Sequence, residues 1–267
     1  MRTKLGALAL LAAACLFGAG CSSVPYTGRR HMLLISTGQE KKLGEDEYQK
    51  FLKDAKLSND REKVEMIRRI GRRMAKAAGR PDFQWEFNLV DDDKTVNAWC
   101  LPGGKVAVYT GILPVAETET GLAVVMGHEI AHALARHGGE RMSQGMVAQF
   151  GASALSVALG GQSGAVRKLA QDAYGMGVGV GILLPFSRSH EAEADHIGLV
   201  LMAKAGYDPR ESVEFWKRMA GNKEGAKDSP LARYLSTHPS DVTRQENLRG
   251  WMEEALKVYQ PDSAATP

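Results

Sequence analysis

An α+β fold, mostly helical with a small mixed β-sheet beside one central helix, is what three features of the 267-residue sequence predict. Apolar residues recur at three- and four-residue spacing in long charged segments before and after the middle of the chain, which is the period of amphipathic helices. One stretch, Trp85 to Thr110, alternates apolar and polar residues or runs in β-formers around a Pro102-Gly103-Gly104 turn. The motif His128-Glu129-Ile130-Ala131-His132 then sits in a run so apolar that it reads as a buried helix.

Composition narrows the class. With 44% hydrophobic and 24% charged residues the chain is ordinary for a folded protein, so disorder is not the default. The formal net charge of +3 includes Arg2 and Lys4 at the extreme N-terminus, so the rest is close to neutral. No run of Lys or Arg is dense enough to form a stripe, which argues against nucleic acid as a partner.

Residues 1–20 have the order of a secretory signal: a basic start, an apolar stretch from Leu5 to Phe17 too short to cross a bilayer comfortably, then Gly18-Ala19-Gly20 before Cys21. Small residues before a cysteine resemble the lipobox of bacterial lipoproteins, which implies acylation of Cys21 and a membrane held through that lipid. Cys15 is a rival with a shorter apolar segment, and an incidental cysteine after a plain signal is the bland alternative. Ser22 resembles the residue that follows the cysteine in lipoproteins sent to an outer membrane. With Cys21 acylated, Cys100 has no disulfide partner, so stability must come from a packed core and a metal.

Residues 21–38 are polar and turn-rich and read as a lipidated tether or a surface belt, with one domain over 39–260 and a loose tail over 261–267. Gln39 to Lys56 and Asp60 to Ala78 read as two solvent-facing amphipathic helices, the second stopped by Gly79. Strands follow at Trp85–Val90, Val96–Leu101 and Val106–Thr110, forming a small sheet with a hairpin. Thr118 or Thr120 caps a helix running through Leu122, Met126 and Ile130 to Arg136, with Gly138-Gly139 ending it. Met142 to Phe186 is rich in Gly, Ala and Val but interrupted by polar residues, and reads as a buried or partly mobile helix beside the site rather than a membrane contact. Ser189–Ala205, Pro209–Ala220 and Val242–Val258 complete the helices, and no repeat is visible.

The chemistry begins with spacing. Helical positions four apart share a face, so His128 and His132 can place both imidazoles on one metal ion. Glu129 then lies beside the ion without binding it, where it can take a proton from a water activated by the metal and pass it to a leaving amine. A third ligand is needed, and Glu191 is the candidate. Glu191 and Asp195 are again four apart, which suits one carboxylate on the metal and another behind it accepting the free N–H of a ligand histidine. Glu193 points away and reads as a solvated surface residue, while His190 and His196 are rival ligands that share the Glu191/Asp195 face less well. A chance motif on an ordinary helix is the alternative. Two unpaired imidazoles on a buried helix would then need explaining.

The combination of His128-Glu129-Ile130-Ala131-His132 with Ser187-Arg188 and Glu191-Ala192-Glu193-Ala194-Asp195 resembles the HtpX/BepA/LoiP-like zinc metallopeptidases, relatives of the CAAX prenyl proteases and of the mitochondrial Oma-type protease. Thr27-Gly28-Arg29-Arg30, Val96-Asn97-Ala98-Trp99 with Leu101-Pro102-Gly103-Gly104-Lys105, and Ser236-Thr237-His238-Pro239 with Arg244 extend the likeness from about Tyr26 to Leu248. It implies a zincin fold of gluzincin type, one zinc ion per chain on His128, His132 and Glu191, Glu129 as general base, and Asp195 with Arg244 behind the ligands. An edge strand carrying Asn97, Ala98 and Trp99 would bind extended substrate by backbone pairing with little sequence selectivity, although Asn97 equally suits satisfying a turn. His238 has three open roles: stabilising the oxyanion, occupying the free metal position as a brake, or capping the fold with Arg244 on a carbonyl. The absence of long apolar spans argues against prenylated or intramembrane substrates. The function implied is an envelope endopeptidase degrading unfolded or misassembled proteins at the periplasmic side of an outer membrane, with kinship alone pointing to outer-membrane assembly machinery. A chaperone that rarely cuts is the alternative, and a purely structural zinc site is disfavoured by Glu129.

Overall fold

The computed structural model describes residues 21–158, 164, 168, 188–221, 229–238 and 242–261. The expected signal segment at 1–20, most of the Gly/Ala-rich stretch after Ala158, Ser187, Pro239 and the tail after Pro261 lie outside the described residues. The chain divides into two compact units, Met1–Thr37 with His137–Leu184 and Gly38–Arg136 with Pro185–Pro267.

In the first unit, β1 (Cys21–Ser23) pairs antiparallel with β2 (Arg30–Met32), so the segment read as a tether contains a hairpin. Val24 and Leu33 are buried, Arg29 grips both oxygens of Glu140, and Ser143 accepts the amide of Leu34 at 2.8 Å. An apolar residue at each end of a hairpin and a two-pronged guanidinium–carboxylate pair are enough to fix so short a segment. Glu140 and Ser143 belong to a helix, His137–Ala158, which begins where Gly138-Gly139 were expected to end the preceding one. The turn between the helices falls instead at Arg136, which takes a left-handed φ of 57°. From Met142 on, the described part of this helix is not wholly buried: Ser143 and Ala148 are buried, whereas Met142, Met146 and Val147 are exposed and Phe150 is 70% exposed.

The second unit opens with α1 (Thr37–Asp54) and α2 (Arg61–Ala78). α2 starts at an Asp60 cap that accepts the amide of Lys63, and ends at Gly79 in the left-handed conformation, as the start and stop signals predict. Its apolar stripe of Ile67, Ile70 and Met74 is buried, and α2 packs on β3 (Glu86–Val90). β3 runs parallel to β5 (Lys105–Tyr109), and β4 (Ala98–Leu101) is antiparallel to β5, giving the order β3-β5-β4. The sheet is therefore mixed, as expected, and β4 is an edge strand.

A short helix, α3 (Leu113–Ala116), leads to α4 (Glu119–Leu134), whose residues from Gly121 onward are all buried. Thr118 caps it, its hydroxyl accepting the amide of Gly121 at 2.9 Å. β4 lies on one side of α4, and α6 (Arg188–Lys204) crosses another, taking α5 as the His137–Ala158 helix of the first unit. The α4–α6 crossing is close because Gly127 and Gly198 face each other. A Cβ on Gly198 would come within 3.0 Å of backbone atoms of Gly127 and His128. The remaining helices are α7 (Glu211–Gly221), α8 (Pro230–Thr237) and α9 (Val242–Val258). α8 has no counterpart among the sequence expectations, although Ser229 and Pro230 form a recognisable start, the serine hydroxyl accepting the amide of Ala232. Among the described residues no helix is long and apolar enough to cross a membrane.

Candidate metal and active site

α4 and α6 bring the candidate residues together, because four-residue spacing turns one face of each toward the other. His128, Glu129 and His132 on α4 and Glu191 and Asp195 on α6 are all buried. His238, which follows the last turn of α8, joins them, its amide bonded to the carbonyl of Tyr234 at 2.9 Å.

One donor atom each from His128, His132, Glu191 and His238 falls within 4.8 Å of the others. Nε2 of His128 is 3.1 Å from Nε2 of His132 and 3.1 Å from Nδ1 of His238. Glu191 completes the cluster, with Oε2 at 3.0 Å from Nδ1 of His238 and Oε1 at 3.3 Å from Nε2 of His132. Imidazole lone pairs aimed at one another in a buried space repel unless a proton or a cation lies between them. Nδ1 of His128 meets Oδ1 of Asp195 at 2.9 Å, which turns its Nε2 into the cluster. Three nitrogens and a carboxylate around one point are the donor set of a zinc site, and the residues present fit that ion.

The charges agree. Burial works against a proton on His128, but Glu191 and Asp195 outweigh it and push its pKa up to about 9. Burial likewise raises Glu191, yet the three histidines around it hold its carboxyl well below the usual range, ready for a cation. Glu129 behaves differently. Burial pushes its pKa above 4.5, offset in part by His238 and His128, and Oε1 has no hydrogen-bond partner and lies 3.7 Å from Nε2 of His238. A buried carboxylate with a free oxygen beside a metal position is placed to accept a proton.

Behind the cluster, Nη2 of Arg244 on α9 donates to Oδ1 of Asp195 at 2.6 Å, and Nη1 lies 3.6 Å from Oε2 of Glu191. The guanidinium stacks over Trp216 of α7, its Cζ 3.2 Å from the ring centroid. Trp216 and Tyr234 are two residues about the site that the sequence did not single out. Tyr234 is buried with its ring 4.8 Å from that of His238, and burial and then Glu129 push its pKa well above 10.0. The four-residue step from Tyr234 to His238 is the signal that a predicted α8 would have exposed.

Other residues that the sequence singled out lie outside the donor cluster. Glu193 is buried, 6% exposed, rather than a solvated surface residue, because α6 is enclosed on more than one side. His196 is not in the cluster: its Nε2 meets Glu254 at 2.7 Å and its ring stacks on Trp251. Asn97, Ala98 and Trp99, read as a substrate-binding edge and not as ligands, make local contacts. Oδ1 of Asn97 accepts the amide of Ala98, Ala98 is buried, and Trp99 packs edge-on against Phe51. β4 itself packs against α4, the helix that carries Glu129.

The model of peptidase family M48 matches residues 61–252. The chain is 36% identical over 237 residues to the mitochondrial metalloendopeptidase OMA1 of Schizosaccharomyces pombe, covering 87% of this chain and 66% of that protein. It is 30% identical to human mitochondrial metalloendopeptidase OMA1, covering 88% of this chain and 46% of the relative. It is 26% identical to the beta-barrel assembly-enhancing protease of Escherichia coli, covering 92% and 50%. The chain thus spans between about half and two thirds of the length of these relatives.

Proposed function

Because this chain belongs to peptidase family M48, whose members are zinc metalloproteases, we propose that it is an endopeptidase of the bacterial envelope that degrades unfolded or misassembled proteins. The observation that carries the reading is the convergence of His128, His132 and Glu191 around one point with Glu129 beside it. These three residues would hold the ion, and zinc, when bound, supplies Lewis acidity toward water and the scissile carbonyl. Glu129 accepts the proton of the attacking water at its free oxygen and delivers it to the departing amine. Asp195 holds the Nδ1 proton of His128, which keeps Nε2 aimed at the ion, and Arg244 holds Asp195 in place. The β4 edge, with Asn97 fixing its entry, pairs with an extended substrate backbone, which favours unfolded chains over folded ones.

His238 enters the donor set as a fourth member, which favours the reading in which it closes the metal position at rest. Digestion of an unfolded protein with zinc present, by the parent and by the Glu129→Gln and His238→Ala variants, tests both readings. The parent is expected to cut, Glu129→Gln to lose at least a hundredfold in rate while keeping zinc, and His238→Ala to cut faster than the parent. Equal cutting by Glu129→Gln would remove the catalytic assignment. A slower His238→Ala variant would remove the brake and favour oxyanion stabilisation. Client capture by a Glu129→Gln protein whose parent never cuts would favour the chaperone alternative.

A lipid on Cys21 follows from the residues before it, and would place the enzyme at the periplasmic face of an outer membrane. The similarity to a beta-barrel assembly-enhancing protease supports clients among envelope proteins and contact with outer-membrane assembly machinery. Fatty-acid labelling in a bacterial host is expected for the parent and not for Cys21→Ser, and label retained by the variant would move the anchor elsewhere.

A further inference from the structure

Trp216 lies in the middle of α7 and is almost wholly buried, 1% exposed. The α7 pattern of Val213, Trp216 and Met219 explains why it points inward. It does not explain how closely a charge approaches it. Cζ of Arg244 stands 3.2 Å from the ring centroid, and the imidazole of His128 lies edge-on 6.1 Å away. On its other side the same guanidinium reaches Asp195 at 2.6 Å, and Asp195 accepts from Nδ1 of His128 at 2.9 Å. The four residues form one line of contact from α7 through α9 and α6 to α4.

We infer that Trp216 is a positioning residue of the metal site, acting through Arg244 and Asp195 on His128, an inference that rests on the metal-site reading above. A guanidinium is planar, so a ring stacked on it fixes the direction in which its N–H groups point. An arginine has many rotamers, and in a dry site the π face of an indole both attracts the cation and excludes the water that would let it turn. If Arg244 turns, Asp195 loses its nearest cation, the His128 ring loses its fixed acceptor, and Nε2 no longer faces the ion in a single orientation. The effect falls on metal retention before it falls on chemistry.

Zinc affinity of the full chain, measured by competition with a chromophoric chelator, tests this. Trp216→Phe keeps a π face and Trp216→Met keeps bulk without one. Disturbing residues behind metal ligands weakens metals by about 10- to 100-fold, so Trp216→Met is expected to lose about tenfold and Trp216→Phe to stay near the parent. In an Arg244→Met background, adding Trp216→Met should change affinity no further, since the two act as one unit. Equal affinities for the phenylalanine and methionine variants, or multiplying losses in the double variant, would overturn the inference while leaving the site intact. A parent that binds no zinc would instead overturn the metal-site reading itself.

Discussion

Single side chains here have separable duties, and Asp195 shows it best. Its carboxylate stands between the N–H of His128 and the guanidinium of Arg244, at 2.9 and 2.6 Å. Asparagine at that position keeps the shape and an acceptor oxygen but removes the charge, so it no longer balances Arg244 and holds both donors more weakly. Asp195→Asn is therefore expected to bind zinc about 10- to 100-fold more weakly while remaining folded, as read by chelator competition and circular dichroism. Parent-like affinity would show that His128 is oriented by something else. The histidine pair, Glu129, Glu191 and Asp195 were legible in the sequence because four-residue spacing on a helix is itself a geometry. His238 was legible only as a candidate with three roles, and Trp216 not at all, since nothing local tells an indole that fills a core from one that also carries an arginine.

Among the elements, α4 depends most on its beginning. Thr118 caps the helix, and Glu119 in its first turn is held by Nε and Nη2 of Arg69 from α2 and by the hydroxyl of Tyr207 at 2.9 Å. Burial raises the Glu119 pKa, but these partners bring it below its ordinary 4.5, and the helix N-terminus favours the same charge. The folded protein thus binds this proton less readily than the unfolded chain. The stability it contributes is complete above the unfolded pKa and is lost as pH falls through the lower folded value. Urea midpoints from pH 6 down to pH 3 should fall more steeply for the parent than for Glu119→Gln, and parallel curves would show that the contact adds nothing. The cap at Thr118 and the stop at Gly79 were predictable from local chemistry. The end of α4 near Arg136 was legible as well, but its cause was not: Gly138-Gly139 lie inside the next helix, and the turn falls at Arg136, whose Nε meets the buried Glu40 of α1 at 2.7 Å. A tertiary ion pair with a buried partner outweighs the small local preference of glycine for a helix end.

At the scale of the whole molecule, every donor of the cluster belongs to the second unit, but they come from both sides of the His137–Leu184 insertion. The folded unit gathers three histidines and three carboxylates into one buried space, and an ion that binds only the folded form pulls the folding equilibrium toward it. With free zinc a thousandfold above its Kd the gain is about 4 kcal/mol. Stripping zinc with a chelator should therefore lower Tm by roughly 10 °C for a domain of this size, with recovery on adding zinc. A Tm indifferent to both would show that the cluster holds no ion in solution.

What the sequence determined by itself was local and periodic: the fold class, the mixed character of the sheet, most helices, the cap of α4, and the residues paired by helical spacing. These are set by interactions within a few residues or by an alternation that repeats. Tertiary structure decided the rest. It closed α4 on α6 through Gly127 and Gly198, drew His238 into the donor set, buried Glu193, sent His196 away to Glu254, and stacked Arg244 on Trp216. Each of these depends on which surfaces meet across the fold, and that is fixed by how the buried faces pack together, which no window of a few residues contains.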